Sequence, residues 1–478
     1  MVFPLAGPCT RFTAKREDAM TDKDGAIAAL DTLLGQRLVR SKADLAAHGE
    51  SESHFATTPP DAVAYPETAE EVARIVAICA RARLPVVGWG AGTSLEGQAQ
   101  AFQGGVSVDF TRMNKVLELR ADDMDVTVQP GVTREALNHE LRATGLFFPV
   151  DPGANATLGG MASTRASGTT AVRYGTMRDN VIALEVVTAD GRIIRTGARA
   201  RKSSAGYDLT GLFVGAEGTL GLITALTLRL HGQPEAISAA ICAFPGVGEA
   251  VGAVMDAIQM GLPVARIELM DAASVAAANA YSGMDMPERP HLLLEFHGSP
   301  AAVAECSETF GEIAALHGGS GFDRATRTEE RNALWEMRHN AYYAILAARP
   351  GARAIVTDIC VPISKLAEAV DETRRDLQES GVQGPILGHV GDGNFHAILL
   401  IDETDAEEVA AAKAVSDRMV KRALRLGGTA TGEHGVGVGK LGYMRAEHGQ
   451  AWEAMGALKQ AFDPLNIMNP GKLVPPRN

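Results

Sequence analysis

Glycine in this sequence is gathered into clusters. The first is Gly88-Trp89-Gly90-Ala91-Gly92-Thr93-Ser94, directly after a strand-like run. The second runs from Asp151-Pro152-Gly153 through Leu158-Gly159-Gly160 to Ala166-Ser167-Gly168 and Tyr174-Gly175. The third is Gly388-His389-Val390-Gly391-Asp392-Gly393-Asn394-Phe395-His396, and the fourth Gly432-Glu433-His434-Gly435-Val436-Gly437-Val438-Gly439-Lys440. Glycine makes up 51 of 478 residues, against about 7% in an average chain. At that level it must be serving backbone geometry, and each cluster has to be asked what geometry it serves.

The first cluster fails the dinucleotide fingerprint: counted from Gly88 the third glycine position holds Thr93, and counted from Gly90 it holds Leu95. A nicotinamide cofactor is disfavoured. A run in which alternate residues lack a β-carbon still presents successive N–H groups as a concave array suited to phosphate or pyrophosphate; a glycine-rich turn is the bland alternative. In the second cluster, small residues would let a flat ligand lie against backbone. Two such clusters so close in sequence favour one large phosphate-bearing cofactor over two coincidental turns.

In the third cluster Asp392-Gly393 suits a two-residue hairpin turn. Facing residues then have numbers summing to 785, which sets His389 opposite His396, about 5 Å apart at Cβ and close enough to share one metal ion. A merely stacked or hydrogen-bonded pair is the other possibility. The fourth cluster only superficially matches a Walker loop, since Leu441 stands where Ser or Thr should follow the lysine. What it offers is Glu433 as a third metal ligand and His434 as a general base with a pKa near working pH, or else a solvated acid-imidazole pair. Arg338, on an expected helix beside Trp335, could clamp a carboxylate bidentately, although arginines so placed are commonly surface ion-pair partners. Asn469-Pro470-Gly471-Lys472 taken alone is a turn.

The rest of the composition narrows the partners. Forty-five basic against 58 acidic side chains give a net charge of −13, poorly suited to holding nucleic acid or an anionic membrane. Five scattered cysteines without a C-x-x-C spacing indicate a reducing compartment and neither a zinc ribbon nor an iron-sulfur site. No run of 18 uncharged apolar residues exists, Leu212 to Leu228 being interrupted by Glu217, so a transmembrane helix is not expected. Arg11, Lys15 and Arg16 are followed at once by Glu17 and Asp18; the first residues read as a loose tail, with a transit peptide as second choice and Met20 as an alternative start.

Along the chain, helix and strand patterns alternate from Pro59. Thr68 with Glu71 forms a capping box ahead of Val72, Ile75, Val76 and Cys79 at helical spacing. Strands are expected at 84–87, 106–110 and 126–129, and a hairpin at 181–196 around Asp190-Gly191. His231 to Glu235 reads as a linker. Beyond it, two βαβ-type units sharing one sheet flank a helical insert at about 328–348.

These segments, in this order, resemble the FAD-linked D-2-hydroxy-acid dehydrogenases of the vanillyl-alcohol oxidase superfamily, most nearly their cytochrome-linked D-lactate branch. The resemblance covers about Pro59 to Leu473 and rests on GTTAVRYGTMRDN (168–180), LTGLFVGAEGTLGLIT (209–224), GHVGDGNFH (388–396), TGEHG (431–435) and MNPGK (468–472). It implies an α+β protein: a tail and helix (1–55), a PCMH-type FAD-binding domain of two α+β subdomains (56–232), a cap domain with an antiparallel sheet flanked by helices (233–430), and a C-terminal helical segment completing the site (431–478). By similarity, Gly88, Trp89, Gly90, Ala91, Gly92, Thr93 and Ser94 would cradle the FAD pyrophosphate. Asp151, Pro152, Gly153, Thr157, Gly159, Gly160, Ser167, Gly168 and Asn469 would also bind the cofactor, which should be dissociable because the first loop holds neither His nor Cys. His389, His396 and Glu433 would hold a divalent metal, zinc or manganese; His434 would be the base; Arg338 would bind the substrate carboxylate.

The sequence departs from the family at Trp89, bulkier than expected in the pyrophosphate loop, and at Arg165, where small or neutral residues are usual. Ile355-Val356-Thr357-Asp358 lacks the lysine that relatives acting on 2-hydroxyglutarate carry, which points to monocarboxylic substrates such as D-lactate, with 2-hydroxyglutarate or glycolate as alternatives. Electrons would pass to a cytochrome, a quinone or an electron-transfer flavoprotein. The expected location is the cytoplasm or the periphery of the inner membrane, mitochondrial in a eukaryote, and a homo-oligomer is compatible. A metal-dependent hydrolase on the same His389, His396 and Glu433 set is the rival from another class; it leaves the first two glycine clusters unexplained.

Overall fold

The expected cap at Thr68 starts a helix at Ala69–Ala82, with Thr68 Oγ accepting the Glu71 N–H at 3.2 Å. Its apolar stripe, Val72, Ile75, Val76 and Cys79, is fully buried. The reciprocal half of the capping box does not form. The Glu71 carboxylate instead accepts the Glu67 N–H at 2.8 Å and both terminal nitrogens of Arg37, and that ion pair lowers its pKa to about 2.

The computed structural model describes residues 22–475, apart from 52 and 54; the expected N-terminal tail lies outside the described residues. The stripe packs on a sheet of β1 (Leu38–Val39), β2 (Ala62–Ala64), β3 (Val86–Trp89) and β4 (Val106–Asp109), ordered β1-β2-β4-β3. Strands β2, β4 and β3 run parallel and are buried almost throughout, as the short Val/Ala-rich runs require. Further along come β5 (Val116–Arg120), β6 (Asp125–Val128), the two-residue β7 (Leu146–Phe147), β8 (Val181–Thr188), β9 (Ile193–Gly197) and β10 (Gly221–Arg229). Five of these make an antiparallel sheet, β5-β6-β10-β8-β9. The β8–β9 hairpin forms as expected, with Thr188 N–H bonding Arg192 O across the loop Ala189-Asp190-Gly191, in which only Gly191 takes positive φ, at 79°. The expected linker is partly a strand, since β11 (His231–Gly232) pairs with β7.

The second half folds around β12 (Ala236–Ala243), β13 (Val264–Met270), β14 (His291–Gly298), β15 (Ser320–Ala325), β16 (Arg353–Val356), β17 (Ile359–Cys360), β18 (Ile386–Gly388) and β19 (Asn394–Ile401). They form one eight-stranded sheet, β15-β12-β14-β13-β18-β19-β16, with β17 also beside β19, and every pairing is antiparallel. The two expected βαβ units are therefore split: β14 lies between β12 and β13, and β19 between β17 and β18. Alternation divides the sheet's side chains. Ile267, Leu269, Phe395 and Leu399 join one core, whereas Met270, Leu293, Ile398 and Leu400 join a second core with the helices Ala272–Ser282, Thr328–His339 and Ala341–Ala347.

Residues 467–469 return to the first sheet, where Met468 bridges Val86, Val86 N–H bonds Ile467 O and Asn469 N–H bonds Val86 O, both at 2.8 Å. Among the described residues no helix is long and apolar enough to cross a membrane.

Candidate functional site

A cavity of about 430 Å³ lies between the two halves. The first glycine cluster, Gly88 to Ser94, forms one wall, and Asp151, Pro152, Gly153, Thr157, Gly159, Gly160 and Ser167 form another. The glycines are sterically required: a β-carbon on Gly90 would stand 2.2 Å from Thr157 Oγ1, and one on Gly159 2.4 Å from Pro130 Cβ. Gly153 has open space around its missing β-carbon. A long groove walled by backbone and small side chains fits a flat, extended phosphate-bearing cofactor such as FAD. Trp89 folds over its own loop, with its ring against Gly92 and tilted on His48 at 4.7 Å. Arg165 is not among the residues that line this cavity; at φ 56° it ends the helix Leu158–Thr164 and donates to Val214 O.

The same cavity is also lined by Arg338, His389, His396, Glu433 and His434. His389 Nε2 and His396 Nε2 lie 3.3 and 3.2 Å from Glu433 Oε1. His389 donates its Nδ1 proton to Glu268 Oε1 at 2.7 Å, and His396 donates its own to Thr357 O at 2.8 Å. Both Nε2 lone pairs are thereby turned inward, the tautomer a metal-binding imidazole needs. Burial opposes ionisation throughout, but Glu268 and Glu433 hold His389 well above its usual pKa, and the two imidazoles hold Glu433 well below its own. Two imidazole nitrogens and a carboxylate oxygen within 4.8 Å of one another fit a divalent cation such as zinc or manganese.

His434 stacks on His396, with centroids 5.2 Å apart and planes 12° from parallel. Its Nδ1 is buried without a hydrogen-bond partner, and burial lowers its pKa below the usual value. It is therefore neutral at pH 7 and able to accept a proton. Arg338, 8% exposed on the helix Thr328–His339, donates from one terminal nitrogen to Glu268 Oε2 at 2.6 Å, and its Nε has no partner.

The loop carrying Glu433 and His434 is tied down by acids from three places. Asp358 Oδ2 accepts Thr431 Oγ1–H at 2.6 Å and the N–H groups of Gly432, Glu433 and His434 at 2.9, 3.0 and 2.9 Å. Glu217, at φ 51°, accepts Val436 N–H and Gly437 N–H at 2.7 and 2.8 Å. Glu96 O accepts Val438 N–H at 2.8 Å, and its carboxyl lies 3.8 Å from Lys440 Nζ. Burial outweighs that lysine and pushes the Glu96 pKa up to about 7. Asp358 also forms a second His/Asp group with His396 and His434, but its Oδ2 is already committed to four donors.

The sequence-derived set thus converges on one cavity, with two exceptions. Asn469 is buried behind it, its amide nitrogen donating to Gln98 O and Glu217 O. Gly168 is set back against Asp151, where a β-carbon would stand 2.5 Å from backbone. The expected hairpin register is corrected: Leu387, not His389, faces His396, so facing numbers sum to 783. The turn at 389–393 is wider, with Asp392 N–H and Asn394 N–H both reaching His389 O. A shift of two residues preserves the face, which is why the histidines still meet, with ring centroids 5.7 Å apart. Glu268 and Asp358 were not singled out from sequence as site residues. For Glu268 the signal was Val264-Ala265-Arg266-Ile267-Glu268-Leu269-Met270, a strand alternation with an acid on the polar side.

Residues 60–197 match the family "FAD binding domain", and residues 233–473 match "FAD linked oxidases, C-terminal domain". The sequence is 50% identical to a probable mitochondrial D-lactate dehydrogenase of Danio rerio over 431 residues, 89% of this chain and 87% of that one. It is 43% identical to the mitochondrial D-lactate dehydrogenase [cytochrome] of Arabidopsis thaliana (94% and 80% covered) and 36% identical to the glycolate oxidase subunit GlcD of Bacillus subtilis (87% and 89%). Among solved structures, 4-ethylphenol oxidase from Gulosibacter chungangensis superposes with a TM-score of 0.78 at 18% identity, covering 96% of this chain and 99% of that one. Substrate-bound p-cresol methylhydroxylase gives 0.77 at 17%, covering 95% and 98%. These two likenesses concern the fold.

Proposed function

The chain belongs to the FAD-linked oxidases, and on that footing we propose that it is an FAD-dependent dehydrogenase oxidising D-lactate and related D-2-hydroxy monocarboxylic acids to 2-oxo acids. One observation carries this reading: the glycine-walled groove and the Arg338, His389, His396, Glu433 and His434 cluster share one cavity. FAD is the cofactor, dissociable here since the first loop lacks a covalent anchor, and when bound it accepts the hydride that leaves substrate C2. Arg338 orients the substrate carboxylate with the donors that Glu268 leaves over. His389, His396 and Glu433 would hold a divalent metal, whose Lewis acidity would lower the pKa of the 2-hydroxyl. His434, neutral and kept out of bulk water, takes the hydroxyl proton as C2 is oxidised. Val356, Leu387 and Ile398 supply an apolar stretch of the lining, which suits a methyl or aliphatic substituent. The electron acceptor in this proposal is a cytochrome, a quinone or an electron-transfer flavoprotein, reached at a membrane periphery.

The direct test is anaerobic addition of D-lactate to the purified yellow protein. Bleaching of the flavin by D-lactate but not by L-lactate or D-2-hydroxyglutarate is the expected result. A colourless protein, or one indifferent to 2-hydroxy acids, would refute the proposal.

A further inference from the structure

We infer that Glu268 is a positioning residue that sets the substrate-binding arginine and the metal-binding histidine from a single carboxylate; the inference rests on the reading of Arg338 and His389 just given. Glu268 lies on β13, a strand paired on both edges, by β14 and by β18. Ile267 and Leu269 turn into the cap core, and Glu268 turns the other way. Its side chain is fully buried, and each oxygen is taken by a different functional group: Oε1 by His389 Nδ1–H at 2.7 Å, Oε2 by Arg338 at 2.6 Å.

A buried carboxylate is costly, and well-packed apolar residues usually serve stability as well or better. What an apolar residue cannot do is fix two donors at once. Bound to Oε1, His389 must carry its proton on Nδ1 and offer Nε2 towards Glu433. Bound to Oε2, the Arg338 guanidinium is held in one plane with Nε still unpartnered. The substrate-binding arginine and the metal-binding histidine are thereby held by the two oxygens of one carboxyl group on a strand paired along both edges.

Glu268→Gln keeps the shape but puts an amide N–H₂ where one acceptor stood, so either Arg338 or His389 meets a donor. In flavin-containing protein, Mn²⁺ or Zn²⁺ titration is expected to show affinity weakened about 10- to 100-fold, together with a raised KM for D-lactate and unchanged flavin content. Glu268→Asp, which keeps both acceptors but retracts them, should restore metal affinity in part and carries the test if the glutamine variant does not fold. Wild-type metal affinity and KM in both variants would overturn the inference, as would lowered thermal stability with neither constant changed. Wild-type protein that takes up no divalent metal while its flavin is bleached by D-lactate would also overturn it and leave the reaction standing. Wild-type flavin that D-lactate fails to bleach would instead sink the proposed reaction, and the metal titration would still decide the inference by whether Glu268→Gln weakens it.

Discussion

Asp358 Oδ2 accepts the backbone N–H of His434 at 2.9 Å, and the same oxygen holds the N–H groups of Glu433 and Gly432. One fully buried carboxylate between β16 and β17 therefore fixes the loop that presents His434 and Glu433, the proposed base and the proposed third metal ligand. Asp358→Ala would take the shared acceptor from three part-buried backbone donors, costing about 1–3 kcal/mol. Thermal melts should drop accordingly and turnover should fall, since neither Glu433 nor His434 would keep its place; a melt unchanged from wild type would contradict the anchoring role.

His434→Ala removes the imidazole without disturbing the Asp358 contacts, which run to backbone. The protein should stay folded and yellow while kcat falls by at least about a hundredfold. Steady-state kinetics beside a flavin spectrum checks both halves, and near-normal kcat would remove His434 from the mechanism.

Chelation tests the His389, His396 and Glu433 set. Activity should disappear on treatment with a strong chelator and return with Zn²⁺ or Mn²⁺, with FAD retained throughout, because the glycine loops that wall the cofactor groove supply none of the three ligands. Full activity in metal-free protein would show the cluster to be a hydrogen-bonded group only.

Arg338→Lys keeps the charge but loses the planar fork that serves Glu268 and a substrate carboxylate together. KM for D-lactate should rise by roughly ten- to a hundredfold, consistent with about 2 kcal/mol from a charge-assisted pair. An unchanged KM would return Arg338 to a structural ion pair.

Glu96 gives a pH-dependent stability with a definite sign. Its folded pKa is raised by burial to about 7, from an ordinary 4.5. Between those values the unfolded chain has released a proton that the folded chain still holds, so raising the pH favours unfolding. The contribution is intact below about 4.5 and lost by about 7 and above, worth on the order of 3 kcal/mol. Wild-type protein should lose stability relative to Glu96→Gln as pH climbs from 4.5 to 7.5, read by chemical denaturation; parallel curves would contradict it.

Most of the site was legible because its residues sit in glycine-marked loops, where a functional side chain must be paired with unusual backbone and so leaves a local trace. The histidine pair was found through a register wrong by two residues, a tolerable error since the strand period is two. What stayed hidden was support. Glu268 belongs to a strand whose existence was missed, and its partners lie 70 and 121 positions away; Asp358 was noted for lacking a neighbouring lysine and not for its own carboxylate. Asn469 was assigned to the cofactor from its motif, but its side chain props the wall from behind. Nothing in local pattern reports a contact between distant segments, so the groups that touch a ligand are easier to find than those that hold them.

The bridge between Met468 and Val86 adds a consequence for biogenesis. Strand β3 leads straight into the first glycine loop, and one of its flanks is supplied by residues 467–469, so the support of this part of the cofactor wall is completed by residues that are among the last to be synthesised.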